Sequence, residues 1–294
     1  MNLTLTSRDN NKNVSVLYTG CQDTQRILSI FTILICVFGI LGNGIVIWLL
    51  GFCIKKNPFT IYILNLAVAD FSFLTIAVID KIYWFSPHKL SQIHNTVALL
   101  FAFLYFFTFS TSQSLLTAIS MDRCVSVFFP LWHRCRRPTY LSAIVCALIW
   151  LISFLPPAIS VILKMANIPI DKYVLLYQFV ANGFLCLPLM TISSLMLFIK
   201  VFCKSKQQRR GKVLITILLT VFFFCFFCFP FNALTINSSL NEEQLTFLHS
   251  VVFCACLNSS VNPLIYYLVG RPKKGLSKKS MKAALQRLFK EGEI

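Results

Sequence analysis

The sequence predicts an all-α membrane protein, a bundle of seven transmembrane helices followed by a short amphipathic cytosolic helix. Two observations carry that class. The 294 residues are 57% hydrophobic and only 13% charged, with 29 Phe, whereas soluble domains run near 45–50% apolar and about 25% charged. A water-soluble fold of this size has too little interior for so much apolar surface, while in lipid an apolar face needs no burial. The net charge of +17 would suit a nucleic-acid binder if it formed a surface patch. Here the basic residues sit in short clusters between long apolar runs, so the expected partners are membrane lipids and not nucleic acid, and soluble enzymes are excluded.

A helix needs about 20 mostly apolar residues to cross the hydrocarbon, and such stretches fall at 27–52, 60–85, 95–128, 139–163, 173–202, 213–236 and 245–269. Charge clusters or Pro, Gly and Asn breaks bound them, as in Lys55-Lys56-Asn57-Pro58, Arg134 to Pro138 and Lys204 to Lys212. The organisation that follows is a polar extracellular segment over 1–26, the bundle over 27–269 and a cytosolic tail over 270–294. Twenty of the 27 Lys and Arg residues lie on the first, third and fifth connections, the tail and the adjoining span ends. Positive charge marks the cytosolic side, so the N-terminus is expected outside, the C-terminus in the cytosol, and the protein in the plasma membrane as a multi-pass chain. The first 26 residues lack a charged, then apolar, then small-residue leader, which leaves the first span as an uncleaved segment. Glycosylation sequons at Asn2, Asn13 and Asn237 all fall on the side assigned as extracellular, an agreement independent of the charge count. In the tail, Met281, Ala284, Leu285, Leu288 and Phe289 recur at helical spacing among Lys278, Lys279, Lys282 and Arg287. That pattern reads as an amphipathic helix lying on the anionic inner leaflet.

Twelve Cys invite a disulfide or metal reading, but only Cys21 is clearly outside. Cys225 and Cys228 share a Phe-rich span with no second pair at ligand spacing, so they read as small hydrophobes. No metal site is expected from cysteine.

Ionisable residues inside a bilayer are expensive and point to function. Asp70 falls near the middle of the second span. Asn258 and Asn262 are four apart and share a face of the last helix; Asn43 and Ser112 lie at matching depth in the first and third. These groups could hold a hydrated cation, with sodium as the one candidate cofactor, or could join helices by hydrogen bonds. They would also suit a small ion-coupled transporter or channel, although the internal repeats that transporters commonly carry are not visible between the halves. Asp122-Arg123 closes the third span at the cytosolic side, where a plain interfacial charge pair is the simpler alternative, but five residues then lead to Pro130-Leu131 and a basic loop.

In this order and on these spans, the motifs resemble the rhodopsin-like G-protein-coupled receptors: Gly42-Asn43, Leu66-Ala-Val-Ala-Asp70, Asp122-Arg123-Cys124, Trp150, Phe229-Pro230 and Asn262-Pro263-Leu-Ile-Tyr266. The Asp-Arg-Cys variant, Trp48-Leu-Leu-Gly51, Phe59-Thr-Ile-Tyr-Ile-Leu64, Cys135-Arg-Arg-Pro138 and Pro188 look like the Mas and Mas-related group. The resemblance implies a receptor that binds an extracellular ligand, peptide or small molecule, and activates a heterotrimeric G protein without catalysing chemistry of its own. It implies that Asp122 and Arg123 sit at the coupling mouth, that Leu131 packs on the G protein as an apolar knob, and that Tyr266 reorients when the seventh helix moves. Pro188, Pro230 and Pro263 are the expected hinges.

Departures from the family pattern narrow the expectations. Ala98 stands near the family's outer third-span Cys and the loop from 164 to 172 has no Cys, so the family's extracellular disulfide cannot form. Tyr105 stands near the amine-binding Asp position and Cys228 near the aromatic toggle. Carboxylates that recognise basic ligands in some Mas-related receptors are unmatched, with Ser160 near one and Leu176 or Gln178 near the other. The outward pocket is expected to be aromatic, lined by Tyr83, Tyr105, Phe109, Phe231 and Asn232, with Asp80 the best remaining carboxylate for a cationic ligand group. Asp80 stands about 15 Å outward of Asp70 along the helix. Arg210 occupies the place where many receptors of the family carry an acidic partner for the third-span Arg, which points to raised ligand-independent signalling. Met196, in place of a Tyr that braces the active state in relatives, pulls the other way.

Overall fold

The computed structural model describes residues 3–54, 57–85, 91–138, 140–168, 185–186, 188–193, 195–196, 242–270 and 281–290, all or nearly all of them helical. In chain order these are α1 (Leu3–Trp48), a π-turn (Leu49–Cys53), α2 (Pro58–Phe85), α3 (Ser91–Phe128), α4 (Pro130–Cys135), α5 (Leu141–Met165), α6 (Glu242–Gly270) and α7 (Met281–Lys290), with no strand among the described residues. Four segments are long and apolar enough to cross a membrane, Asp23–Cys53, Pro58–Tyr83, Thr96–Phe128 and Leu141–Met165, and α6 contributes the apolar stretch Val252–Leu268. They match the first four and the last of the expected spans. Of the expected fifth span only short helical pieces are described, one beginning at Pro188; the sixth, 213–236, lies outside the described residues. The backbone of α1 continues upstream of the apolar span to Leu3, so the sequon residue Asn13 lies on a helical extension, while Asn2 and Asn237 lie outside the described residues.

Local chemistry explains the element ends. At the start of α2, Thr60 N–H donates to Asn57 Oδ1 (2.7 Å) and Asn57 N–H to Thr60 Oγ1 (2.8 Å). This reciprocal cap precedes Pro58, whose missing N–H is one the first turn does not need. At the end of α5, Asn167 takes φ 56, a left-handed conformation that Asn tolerates. Asn167 and Ile168 N–H then donate to Lys164 and Leu163 carbonyls at 3.1 and 2.9 Å. Hydroxyls inside the membrane are satisfied locally: Thr108, Thr111 and Thr117 of α3 donate to the carbonyl four residues back at 2.7, 2.8 and 3.0 Å.

The bundle packs α1 on α2 and α6, α2 on α3, and α3 on α5. Its centre is made of side chains such as Leu50, Ile63, Leu66, Phe73, Leu74 and Leu115, all under 2% exposed. Ser142, Cys146, Ser153, Pro157 and Ser160 form the buried stripe of α5, small residues that permit close helix approach, while Leu151, Ile152 and Ile162 face outward into lipid. Along the α3–α5 seam, Phe107 meets Trp150 edge-on at 5.4 Å and Phe103 meets Phe154 at 5.5 Å. Trp150 Nε1 donates to Asn65 Oδ1 at 3.0 Å, pinning α5 to α2. The tail helix α7 buries Ala284 and Leu285 and lies against α6, with Lys282 exposed, as its amphipathic pattern requires.

Candidate functional site

At the middle of the bundle Asp70 is fully buried. Ser112 Oγ donates to its Oδ1 at 2.7 Å and Asn262 Nδ2 to its Oδ2 at 2.7 Å. Asn258, one turn earlier on α6 and also buried, leaves its Oδ1 without a hydrogen-bond partner. An orphaned carbonyl one turn from the residue that bonds Asp70 is a poor end state for helix joining alone, because an unpaired buried acceptor costs about 1–3 kcal/mol. The available donor atoms are the carboxylate, hydroxyl and amide oxygens that hard cations prefer, so the residues present fit a sodium ion. Asn43 is directed elsewhere: its Nδ2 donates to Gly39 and Ser259 carbonyls at 3.0 and 3.1 Å, tying α1 to α6. Among the described residues no group of three or more His, Cys, Asp and Glu could hold a metal ion; Cys225 and Cys228 lie outside them.

Near the C-terminal end of α3, Arg123 is 8% exposed, and its guanidinium lies over the Phe59 ring of α2, 3.6 Å from the centroid. Its ion pair with Asp122 is long, Nη2 to Oδ2 at 3.6 Å. The short contact of Asp122 goes to Arg137, Oδ1 to Nη2 at 2.7 Å. Arg137, fifteen residues after Asp122, reaches the carboxylate more directly than the neighbouring Arg123, because adjacent helix residues point about 100° apart. In the sequence Arg137 is one of three arginines in the basic run before Pro138 and nothing sets it apart. Phe59 was read only as part of a family-like motif; an aromatic at the cytosolic start of α2 facing an Arg was the available signal. Leu131 is 81% exposed on α4. Tyr266 is 3% exposed within the core, one turn after Pro263, through which α6 continues unbroken. Pro230 and Arg210 lie outside the described residues.

Toward the outer end of α2, Tyr105 Oη donates to Asp80 Oδ2 at 3.3 Å, which brings two expected pocket residues together across α2 and α3. Phe109 is 5% exposed and packs on Phe73 at 5.9 Å, so among the described residues it serves the core. Tyr83 meets Phe101 at 5.9 Å. Phe231 and Asn232 lie outside the described residues.

Membrane-length helices enclose a buried Asp–Asn–Ser cluster, with an Asp-Arg pair and an exposed leucine toward one end, an arrangement that suits a helical membrane receptor. The family model described as 7 transmembrane receptor (rhodopsin family) matches residues 42–266. The chain is 36% identical over 272 residues to Mas-related G-protein coupled receptor member H of Mus musculus, covering 90% of this chain and 83% of that one. It is 35% identical over 260 residues to the Proto-oncogene Mas of Homo sapiens, covering 86% and 80%. It is also 35% identical over 288 residues to Mas-related G-protein coupled receptor member X1 of Homo sapiens, covering 93% and 86%. The chain belongs to the rhodopsin family of seven-transmembrane receptors, alongside Mas and the Mas-related receptors. It is a G-protein-coupled receptor, and the transporter or channel alternative falls with that membership.

Proposed function

We propose that this plasma-membrane receptor, with its N-terminus outside and its C-terminus in the cytosol, binds an extracellular ligand between the outer ends of its helices and activates a heterotrimeric G protein at the mouth formed by Asp122, Arg123, Leu131 and Tyr266. The observation that carries the reading is a buried Arg123 parked on Phe59 next to Asp122, with Leu131 exposed on the following helix α4. An arginine held by one aromatic face and one long ion pair can exchange those contacts for a partner's carbonyls at modest expense, since such a stack is worth roughly 0.5–2 kcal/mol. A ligand that prefers the open conformation then shifts the population toward it. Guanine-nucleotide exchange driven by wild-type receptor and lost in Arg123→Ala is the test.

Asp70, Ser112, Asn258 and Asn262 would hold a sodium ion that favours the closed state. Replacing sodium chloride with N-methylglucamine chloride at equal ionic strength should raise basal nucleotide exchange by the wild type and leave Asp70→Asn unchanged. A response retained in Asp70→Asn returns the aspartate to helix joining alone. Asp80, oriented by Tyr105, is the group offered to a cationic ligand, and Asp80→Asn should lower the potency of a cationic agonist by more than about threefold. A smaller loss would mean that the carboxylate serves Tyr105 and its own helix, as weak ion pairs usually do.

A further inference from the structure

The six-residue helix α4 carries the exposed Leu131, yet little in α4 itself holds it in place. Isolated helices shorter than about 12 residues are marginal, and its N-cap, Phe129, makes no side-chain capping bond. One side chain from beyond its end ties it down. Arg137 Nη2 lies 2.7 Å from Asp122 Oδ1 on α3 and donates to Ser142 Oγ on α5 at 2.6 Å, while Nη1 donates to His133 Nε2 on α4 at 2.6 Å. A guanidinium has no acceptor, so the His133 ring accepts through Nε2 and carries its proton on Nδ1. The Arg137 side chain is 4% exposed, so these charge-assisted bonds are shielded from water and stronger than surface ion pairs. One guanidinium thus joins three helices, beside the longer contact of His133 Nε2 with Asp122 Oδ2 at 3.7 Å.

We propose that Arg137 is a positioning residue for G-protein coupling: by bonding Asp122, Ser142 and His133 together it holds α4 so that Leu131 stands at the coupling mouth. The planar fork is what the role needs, since it reaches three partners in fixed directions, whereas a lysine ammonium at that place would reach fewer. The inference rests on assigning Leu131 to the coupling face, and the experiment separates the two.

The first measurement is hydrogen–deuterium exchange of purified receptor in nanodiscs. In Arg137→Gln the amides of residues 131–135 should exchange about tenfold faster or more, from loss of charge-assisted bonds, while α2 and α5 keep their protection. Arg137→Lys should fall between. Ser142→Ala, which removes one bond and keeps the ion pair, should give a smaller acceleration, and it serves if Arg137→Gln does not fold. Unchanged exchange over 131–135 in Arg137→Gln, or in Ser142→Ala if only that variant folds, overturns the proposal. The second measurement is nucleotide exchange per surface receptor in Arg137→Gln, Leu131→Ala and the double variant. If Arg137 acts by placing Leu131, the double variant loses no more than Leu131→Ala alone. Losses that multiply show Arg137 acting by another route and overturn the proposal. A normal Leu131→Ala overturns the assignment of Leu131 to coupling, and with it the signalling half of the proposal, while amide exchange still decides whether Arg137 holds α4.

Discussion

Replacing Arg123 with Ala is expected to abolish G-protein activation while leaving the receptor near its normal surface level. The two halves of that outcome have different physical sources. Signalling is lost because the only cation placed by α3 at the cytosolic mouth, among the described residues, is removed, and alanine offers no donor in its place. Folding is spared because Asp122 does not depend on Arg123. Its short contact at 2.7 Å is with Arg137, and the pair with Arg123 is 3.6 Å long. Removing one partner of a buried ion pair is strongly destabilising when the other charge is stranded, but here the carboxylate keeps a nearer arginine. What is given up is the stack on Phe59, roughly 0.5–2 kcal/mol. Nucleotide exchange normalised to surface receptor is the measurement; a variant that still activates G protein would remove Arg123 from the coupling machinery. Arg137→Gln combined with Arg123→Ala should reach the surface less well than either alone, because Asp122 then has neither arginine.

Gly39→Val is expected to remove most of the receptor from the cell surface. A Cβ at Gly39 would fall on Ser260 Oγ of α6, 2.6 Å from Leu74 Cδ1 of α2 and 2.9 Å from Ser260 Cβ, where comfortable carbon contacts need about 3.5–4.0 Å. The neighbours cannot simply turn aside. Leu74 is fully buried, and Ser260 Oγ donates to the Ile35 carbonyl of α1 at 3.2 Å. Relief requires α1 and α6 to separate, which lengthens the 3.1 Å bond from Asn43 to the Ser259 carbonyl. In lipid, helix association depends on close packing and such bonds, without a hydrophobic force to restore it. Overpacking typically costs about 1–3 kcal/mol, and collision with two side chains held in place puts valine toward the upper end. Gly44→Ala is the control, since its Cβ would meet only Phe71 at 3.6 Å and should leave surface level unchanged. Flow cytometry of an N-terminal epitope tag reads both; equal surface levels for the two variants would refute the packing argument.

Much of the candidate site was legible because the bilayer penalises polar groups one residue at a time. Asp70, Asn262 and Ser112 stood out as polar positions at one depth, and the structure brings all three into contact. Asn258 shares the expected face, yet its Oδ1 bonds to nothing, and Asn43 belongs to the α1–α6 joint. Depth along a span can be read from residue number, whereas direction around the bundle depends on how neighbouring helices are rotated. The same limit hid the packing of Phe109 into the core and the bond from Tyr105 to Asp80. Arg210, on which the expectation of raised basal signalling rests, lies outside the described residues; the stack of Arg123 on Phe59 adds a restraint on the closed state that no charge count reveals.

Composition, apolar run length and the side bias of Lys and Arg determined by themselves that this chain is a helical membrane protein, roughly where the first four spans and the last apolar helix lie, and which polar residues share a depth. Those properties follow from partitioning between water and lipid, which acts on each segment independently of the rest. The tertiary structure alone decided which cation holds Asp122, where Arg123 rests, and how α4 with its exposed leucine is anchored. Such pairings turn on a few ångströms between side chains far apart in sequence. Three arginines in one basic run carry the same charge and the same motif, and only the fold shows that Arg137 faces a carboxylate.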